Sequence, residues 1–238
     1  MSVGVLWEMP TRRRGIEMKR LACVIPVMAL LIGLAAQPAG AALVLNLGIG
    51  NPAISGFPGP YGTATIMRID ATHASITFNS NIVGGNIYLF GDGGSVAVNV
   101  NAASWTLGSI TGSNAGVGFT PGPYSDGGSG NEDGFGSFNQ TINSFDGFSH
   151  SADTVSFSLT NNSGTWATDS DVLTANGSGY LVGAHIFVTS FPANAANGAI
   201  VTGFAVNGNV TPEPTAVVLL GLGLASTGMG FIRRRPRK

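Results

Sequence analysis

The sequence predicts an all-β fold, an antiparallel β-sandwich of jelly-roll-like or immunoglobulin-like type, with an apolar segment at each end of the chain. Three observations predict it. Short segments with period-two alternation recur through the middle of the chain. Clusters of Gly, Asn, Asp and Ser separate them. Outside the two ends no segment carries the 3.6-residue period of an amphipathic helix. Composition agrees, since 36 glycines in 238 residues is about twice the usual share.

The first element is an export signal. Lys19 and Arg20 form a short basic region, Leu21 to Ala36 an apolar run, and Ala39, Ala41 and Ala42 supply small residues where a signal peptidase cuts. Residues 18–42 therefore read as a signal peptide. The alternative, a membrane anchor, fits less well because the run is short and ends on a cleavage site. Residues 1–17 lie ahead of the pattern, consistent with a start codon set too early and Met18 as the true start.

The domain expected at 43–209 begins after it. "ASITFN" places Ala74, Ile76 and Phe78 on one face, and "SVAVNV" does so with Val96, Val98 and Val100. "TVSFSLT" repeats the pattern with Val155, Phe157 and Leu159. "AIVTGFAV" groups Ile200, Thr202, Phe204 and Val206. "GTATIMRID", "NIYLF" and "GYLVGAHIFVTS" are more continuously apolar and read as more deeply buried strands. "GDGG", "NNSG" and "ANGSG" read as turns. The weakest stretch runs from Gly108 to Phe148, and its "PGPYSDGGSGNEDGFG" is expected to be a surface loop. Cys23 is the only cysteine, so no intrachain disulfide is available and burial alone must hold the domain.

Charge excludes one class of partner. Between Leu43 and Asn209 a single Arg68 faces nine carboxylates, a formal charge of −8. Without clustered Lys or Arg such a domain cannot neutralise phosphates, so nucleic acid is not an expected ligand. Nor does a catalytic motif appear. His73, His150 and His185 are widely spaced and form no HExxH pair. His185 reads as a core or edge histidine. His150 stands near Ser149, Ser151 and Asp153, but a triad is assembled in space and not by sequence neighbours. No GxSxG elbow occurs.

Two weaker binding signals remain. Asp126, Glu132 and Asp133 lie in one stretch resembling a single calcium-binding nonapeptide, a unit that otherwise works in tandem. A solvated acidic loop is its first reading, and no metal or cofactor is expected. Trp105, Trp166 and Tyr124 are candidates for stacking on sugar rings. Core packing is the first reading of both tryptophans, whereas Tyr61 and Tyr124 sit in Pro/Gly loops and are expected to be exposed.

The last element is the tail, 210–238. Thr215 to Ile232 is an uncharged 18-residue stretch. A helix needs about that length to cross the ~30 Å hydrocarbon core. Arg233, Arg234 and Arg235 open the basic tail 233–238, which favours the cytoplasmic side. Pro212 and Pro214 hold Glu213 extended ahead of the span. Together Pro212-Glu213-Pro214, the apolar run and the arginines resemble a PEP-CTERM sorting signal. That resemblance implies a C-terminal transmembrane sorting helix in a protein exported by a Gram-negative bacterium through the Sec translocon. It further implies processing by exosortase and association with exopolysaccharide. A plain single-span anchor is the alternative reading of the tail.

The segments "YLFGDGGSVAVNVNAASWTLGSIT", "DGFGSFNQTINSFDGFSHSADTVSFSLTN" and "GTWATDSDVLTAN" are likewise similar to uncharacterised PEP-CTERM proteins, which supply no active site. The expected function is a non-catalytic surface or extracellular-matrix protein, anchored transiently in the inner membrane and then delivered to the cell surface or matrix. A carbohydrate-binding module for the exopolysaccharide is the second expectation, and a secreted hydrolase the third.

Overall fold

A computed structural model describes residues 42–208. The expected signal peptide, apart from its last residue, and the expected sorting tail lie outside the described residues. Among the described residues no helix is long and apolar enough to cross a membrane.

Thirteen strands form the domain: β1 (Leu43–Gly50), β2 (Gly62–Arg68), β3 (His73–Ser80), β4 (Ile82–Val83), β5 (Asn86–Phe90), β6 (Val96–Val98), β7 (Trp105–Leu107), β8 (Thr111–Ser113), β9 (Ser125–Glu132), β10 (Gly136–Asn143), β11 (Thr154–Asn161), β12 (Val182–Ser190) and β13 (Val201–Asn207). All named strand pairs are antiparallel. They form one continuous path, β7-β11-β3-β2-β1-β13-β12-β6-β10-β9, in a nearly closed, barrel-like sheet. β4 pairs with β5, β5 also pairs with β12, and β8 pairs with β11.

β1 makes the path continuous. Leu43 to Asn46 pair with β2, while Leu47 to Gly50 pair with β13. The register shifts by one residue between Leu47 and Ile49, so Gly48 is a bulge, and a bulge bends a strand and increases its twist. One strand thereby serves both ladders.

The expected alternation of β3 and β11 is met. Ala74, Ile76, Phe78, Val155, Phe157 and Leu159 all face the main core, while their neighbours are half-buried Ser, Thr and Asn. Burial of each large side chain stabilises by roughly 1.5–3 kcal/mol. β2 differs from expectation. Ala64 and Ile66 are buried, but Thr63 and Thr65 are half-buried and Met67 is exposed, so it has one wet face. β5 and β12 are apolar on both faces for a visible reason. Tyr88, Phe90, Val182, Ala184, Ile186 and Val188 point into the main core, whereas Ile87, Leu89 and Phe187 join Ala193 in a second cluster on the other face.

β13 reverses its expected orientation. Ala205 enters the main core, while Ile200 and Thr202 are exposed and Val206 packs outward against Phe135 and Phe138. Gly203 leaves room on the inner side for Asn51 and Ile54, which would stand 2.5 and 2.8 Å from a β-carbon there.

The expected loop 108–148 is also corrected. It contains β8 and the β9–β10 hairpin, whose ladder runs from Gly136 opposite Glu132 to Asn143 opposite Ser125. The tip turns at Gly134, φ 87°. The glycines of β9 make close packing with β10 feasible. A β-carbon on Gly127 would collide with Thr141 Oγ1, and one on Gly130 would lie 2.7 Å from Thr141 Cγ2. Tyr61 is corrected too, for it is buried, and its hydroxyl lies 3.1 Å from the carbonyls of both Ile54 and Phe57.

Candidate functional site

The residues suggested for sugar stacking do not share a surface. Trp166 is 1% exposed, and its indole N–H donates to the Asn101 carbonyl at 2.8 Å, so it is a core residue. Trp105 is half-buried and closes the barrel seam. From β7, at one end of the sheet path, its Nε1 donates to Gln140 Oε1 on β10 at 2.8 Å. Gln140 Nε2 in turn donates to Asp126 Oδ1 on β9 at 2.7 Å. Tyr124 is half-buried with its hydroxyl enclosed and unpartnered, and burial, aided by Asp153, pushes its pKa up to about 12.

The acidic trio is dispersed as well. Asp126 accepts from Gln140 and from the Gly128 N–H (2.8 Å), Asp133 is exposed at the hairpin tip, and Glu132 is buried. Among the described residues no group of three or more His, Cys, Asp or Glu is placed to hold a metal ion. His150 forms no triad. Its Nδ1 lies 2.9 and 2.7 Å from the carbonyls of Thr120 and Gly122, Ser151 Oγ donates to the Phe148 carbonyl, and Asp153 is bonded elsewhere. His73 Nδ1 is paired with Asp70 at 2.9 Å.

Among the described residues, a cleft that no sequence motif announced is a further concave site. It has a volume of 410 Å³, within the range of small-ligand sites. It lies where the end of β3, β4, β5, the start of β11 and two loops meet. Ile87 and Leu89 line it and belong to the second apolar cluster. Three large apolar side chains at the same cleft are exposed: Ile82 by 59%, Val117 by 69% and Phe191 by 62%. The polar lining comes chiefly from Asn79, Asn114, Asp153 and Thr154.

Hydrogen bonds within the domain hold these groups. Asp153 accepts from Ser113 Oγ (3.2 Å) and from the Ala115 N–H (2.7 Å). Asn114 accepts from the Gly116 N–H at 2.8 Å and donates to the Ser151 carbonyl at 2.9 Å. Val117 bridges to the other loop, donating to the Ala193 carbonyl and accepting from the Ala195 N–H. Asp153 is the one titratable residue lining the cleft among the described residues.

A second feature is polar and enclosed. Glu132, at the end of β9, is 0% exposed and neither carboxyl oxygen has a hydrogen-bond partner. It fits because its neighbours have no side chain. A β-carbon on Gly94 would lie 2.6 Å from Oε1, and one on Gly183 would lie 3.2 Å from Cγ. Burial pushes its pKa up to about 8, which keeps the carboxyl protonated at neutral pH. On β12, His185 stacks on Phe204 (4.5 Å) and Phe187 (5.4 Å), with Nδ1 buried and unpartnered. Burial lowers its pKa, opposed by Asp92 and a backbone hydrogen bond with Gly93.

The fold and its cleft define a class only broadly, an antiparallel β-domain with a cleft on its surface. No protein-family model, curated protein or solved structure matches the chain.

Proposed function

We propose that the chain is a non-catalytic exported protein of a Gram-negative bacterium that becomes part of the cell surface or extracellular matrix. It is carried by the Sec translocon, tethered for a time in the inner membrane through residues 215–232, and processed by exosortase near Pro212-Glu213-Pro214. The observation that carries the reading is the order of features in the tail: rigid acidic motif, uncharged span, then Arg233, Arg234 and Arg235. A disulfide-free, charge-poor β-domain, with one carboxylate in its cleft, supports a binding or structural role for what is delivered. The sandwich description, jelly-roll-like or immunoglobulin-like, is the finer reading of this fold, supported by the way β1 bends from one ladder to the other.

The test transfers the tail from Thr211 onward to a secreted reporter in a host with exosortase. Retention at the envelope followed by loss of the tail is expected. A freely secreted, uncut reporter would refute the proposal. A second reading, recognition of the exopolysaccharide itself by the domain, is favoured by the cleft around Phe191.

A further inference from the structure

We infer that the cleft between β4 and the loops carrying Val117 and Phe191 is a subsite for a neutral polysaccharide, with Phe191 as its stacking platform and Asp153 and Asn79 as hydroxyl partners. The inference rests on the carbohydrate-binding reading and names its site and ligand class. A pyranose ring has an apolar C–H face and a rim of hydroxyl groups. Its receptor therefore needs a flat apolar surface beside oriented polar side chains.

The cleft supplies both. Phe191 is left 62% exposed at the cleft that it lines together with Ile87, Leu89 and Ala193 of the second apolar cluster. Its backbone is nonetheless fixed, since the Phe191 N–H donates to the Gly85 carbonyl at 2.9 Å. Ile82 and Val117 extend the apolar rim. Asp153 is already held by Ser113 and the Ala115 N–H, so binding does not have to order it, and a carboxylate keeps acceptor capacity beyond two bonds. Asn79 accepts from Thr154 Oγ1 through Oδ1 at 3.3 Å, a bond that leaves its amide donors unused.

Charge selects among polysaccharides. A domain of formal charge −8, with a carboxylate in the cleft, disfavours a uronate chain through like-charge repulsion and desolvation. An extended peptide fits less well, because β4 is two residues long and is too short an edge for strand addition.

The test is calorimetric titration of the full chain, in detergent micelles, with cellohexaose, laminarihexaose, maltohexaose, chitohexaose and hexagalacturonate. At least one neutral hexamer is expected to bind, with hexagalacturonate about tenfold weaker or worse. Phe191→Ala weakens the neutral ligand about tenfold or more at unchanged melting temperature. Phe191→Trp retains binding, and its indole emission shifts on titration. Asp153→Asn narrows the gap between neutral and acidic hexamers. Unchanged neutral binding in Phe191→Ala overturns this site while leaving carbohydrate recognition standing. Equal affinity for hexagalacturonate overturns the charge selection, and absence of binding by every hexamer overturns both readings. Tail processing is read separately, by mass, and is untouched by any of these results.

Discussion

Replacing Glu132 by Gln should change how the domain's stability depends on pH. The carboxyl is wholly enclosed, has no hydrogen-bond partner, and titrates at about 8 in the folded chain against 4.5 unfolded. Between those values the unfolded chain has lost a proton that the folded chain keeps. Unfolding is therefore favoured as pH rises, by about 1.4 kcal/mol per pH unit. Across the whole interval the loss is on the order of 5 kcal/mol, and it levels off once the folded carboxyl ionises. Gln has nearly the same shape and does not titrate, so its own desolvation cost of about 1–3 kcal/mol is constant with pH.

His185 acts in the opposite sense. Its folded pKa is depressed, so the stability it contributes is present above the unfolded pKa, near 6.5, and is lost as pH falls below that. The difference between Glu132→Gln and wild type cancels that term. Urea unfolding followed by tryptophan fluorescence at several values between pH 5 and pH 9 gives the comparison. The variant's advantage should grow steadily from pH 5 to about pH 8 and then flatten. A gap that stays constant, or narrows with rising pH, would refute the enclosed-carboxyl account.

Three further outcomes follow from the geometry. Trp105→Phe should cost about 1–3 kcal/mol in urea unfolding, because it strands the buried Gln140 acceptor at the seam; no loss would mean the seam bond is idle. Trp166→Ala should cost about 3–5 kcal/mol as a core truncation, and near-wild-type stability would contradict its burial. Gly127→Ala should drive a methyl into Thr141 and Asn143, costing about 1–3 kcal/mol. Hydrogen exchange should then show lost protection in β9 and β10 while β3 and β11 stay protected. Uniform loss, or none, would contradict the close-packing role of that glycine.

What the sequence made legible follows from burial. β3 and β11 have one wet and one dry face, so period-two alternation reports them faithfully. β13 alternates too, but an outer cluster around Phe135 and Phe138 covers Val206, and the apolar set there is not the core-facing set. β9 has no apolar alternation because Thr141 on its partner strand leaves room only for glycine at 127 and 130, and "SDGGSGNE" therefore reads as a loop. Glu132 looked like a solvated acid because sequence gives no sign of the space left by Gly94 and Gly183. The cleft was illegible for a similar reason. The pair Asn79 and Ile82, then Val117, Asp153 and Phe191, come from four separate parts of the chain, brought together by the pairing of β3 with β11, the bridge between Val117 and Asn194 and the bond from the Phe191 N–H to the Gly85 carbonyl.

The account stands or falls on whether the tail is a temporary tether. The most direct measurement is the mass of the mature C-terminus, with the full chain expressed in otherwise identical strains with and without exosortase. The account predicts a chain shortened near Pro212-Glu213-Pro214 only when the enzyme is present. A C-terminus that still ends at Lys238 in the exosortase-positive strain would contradict it.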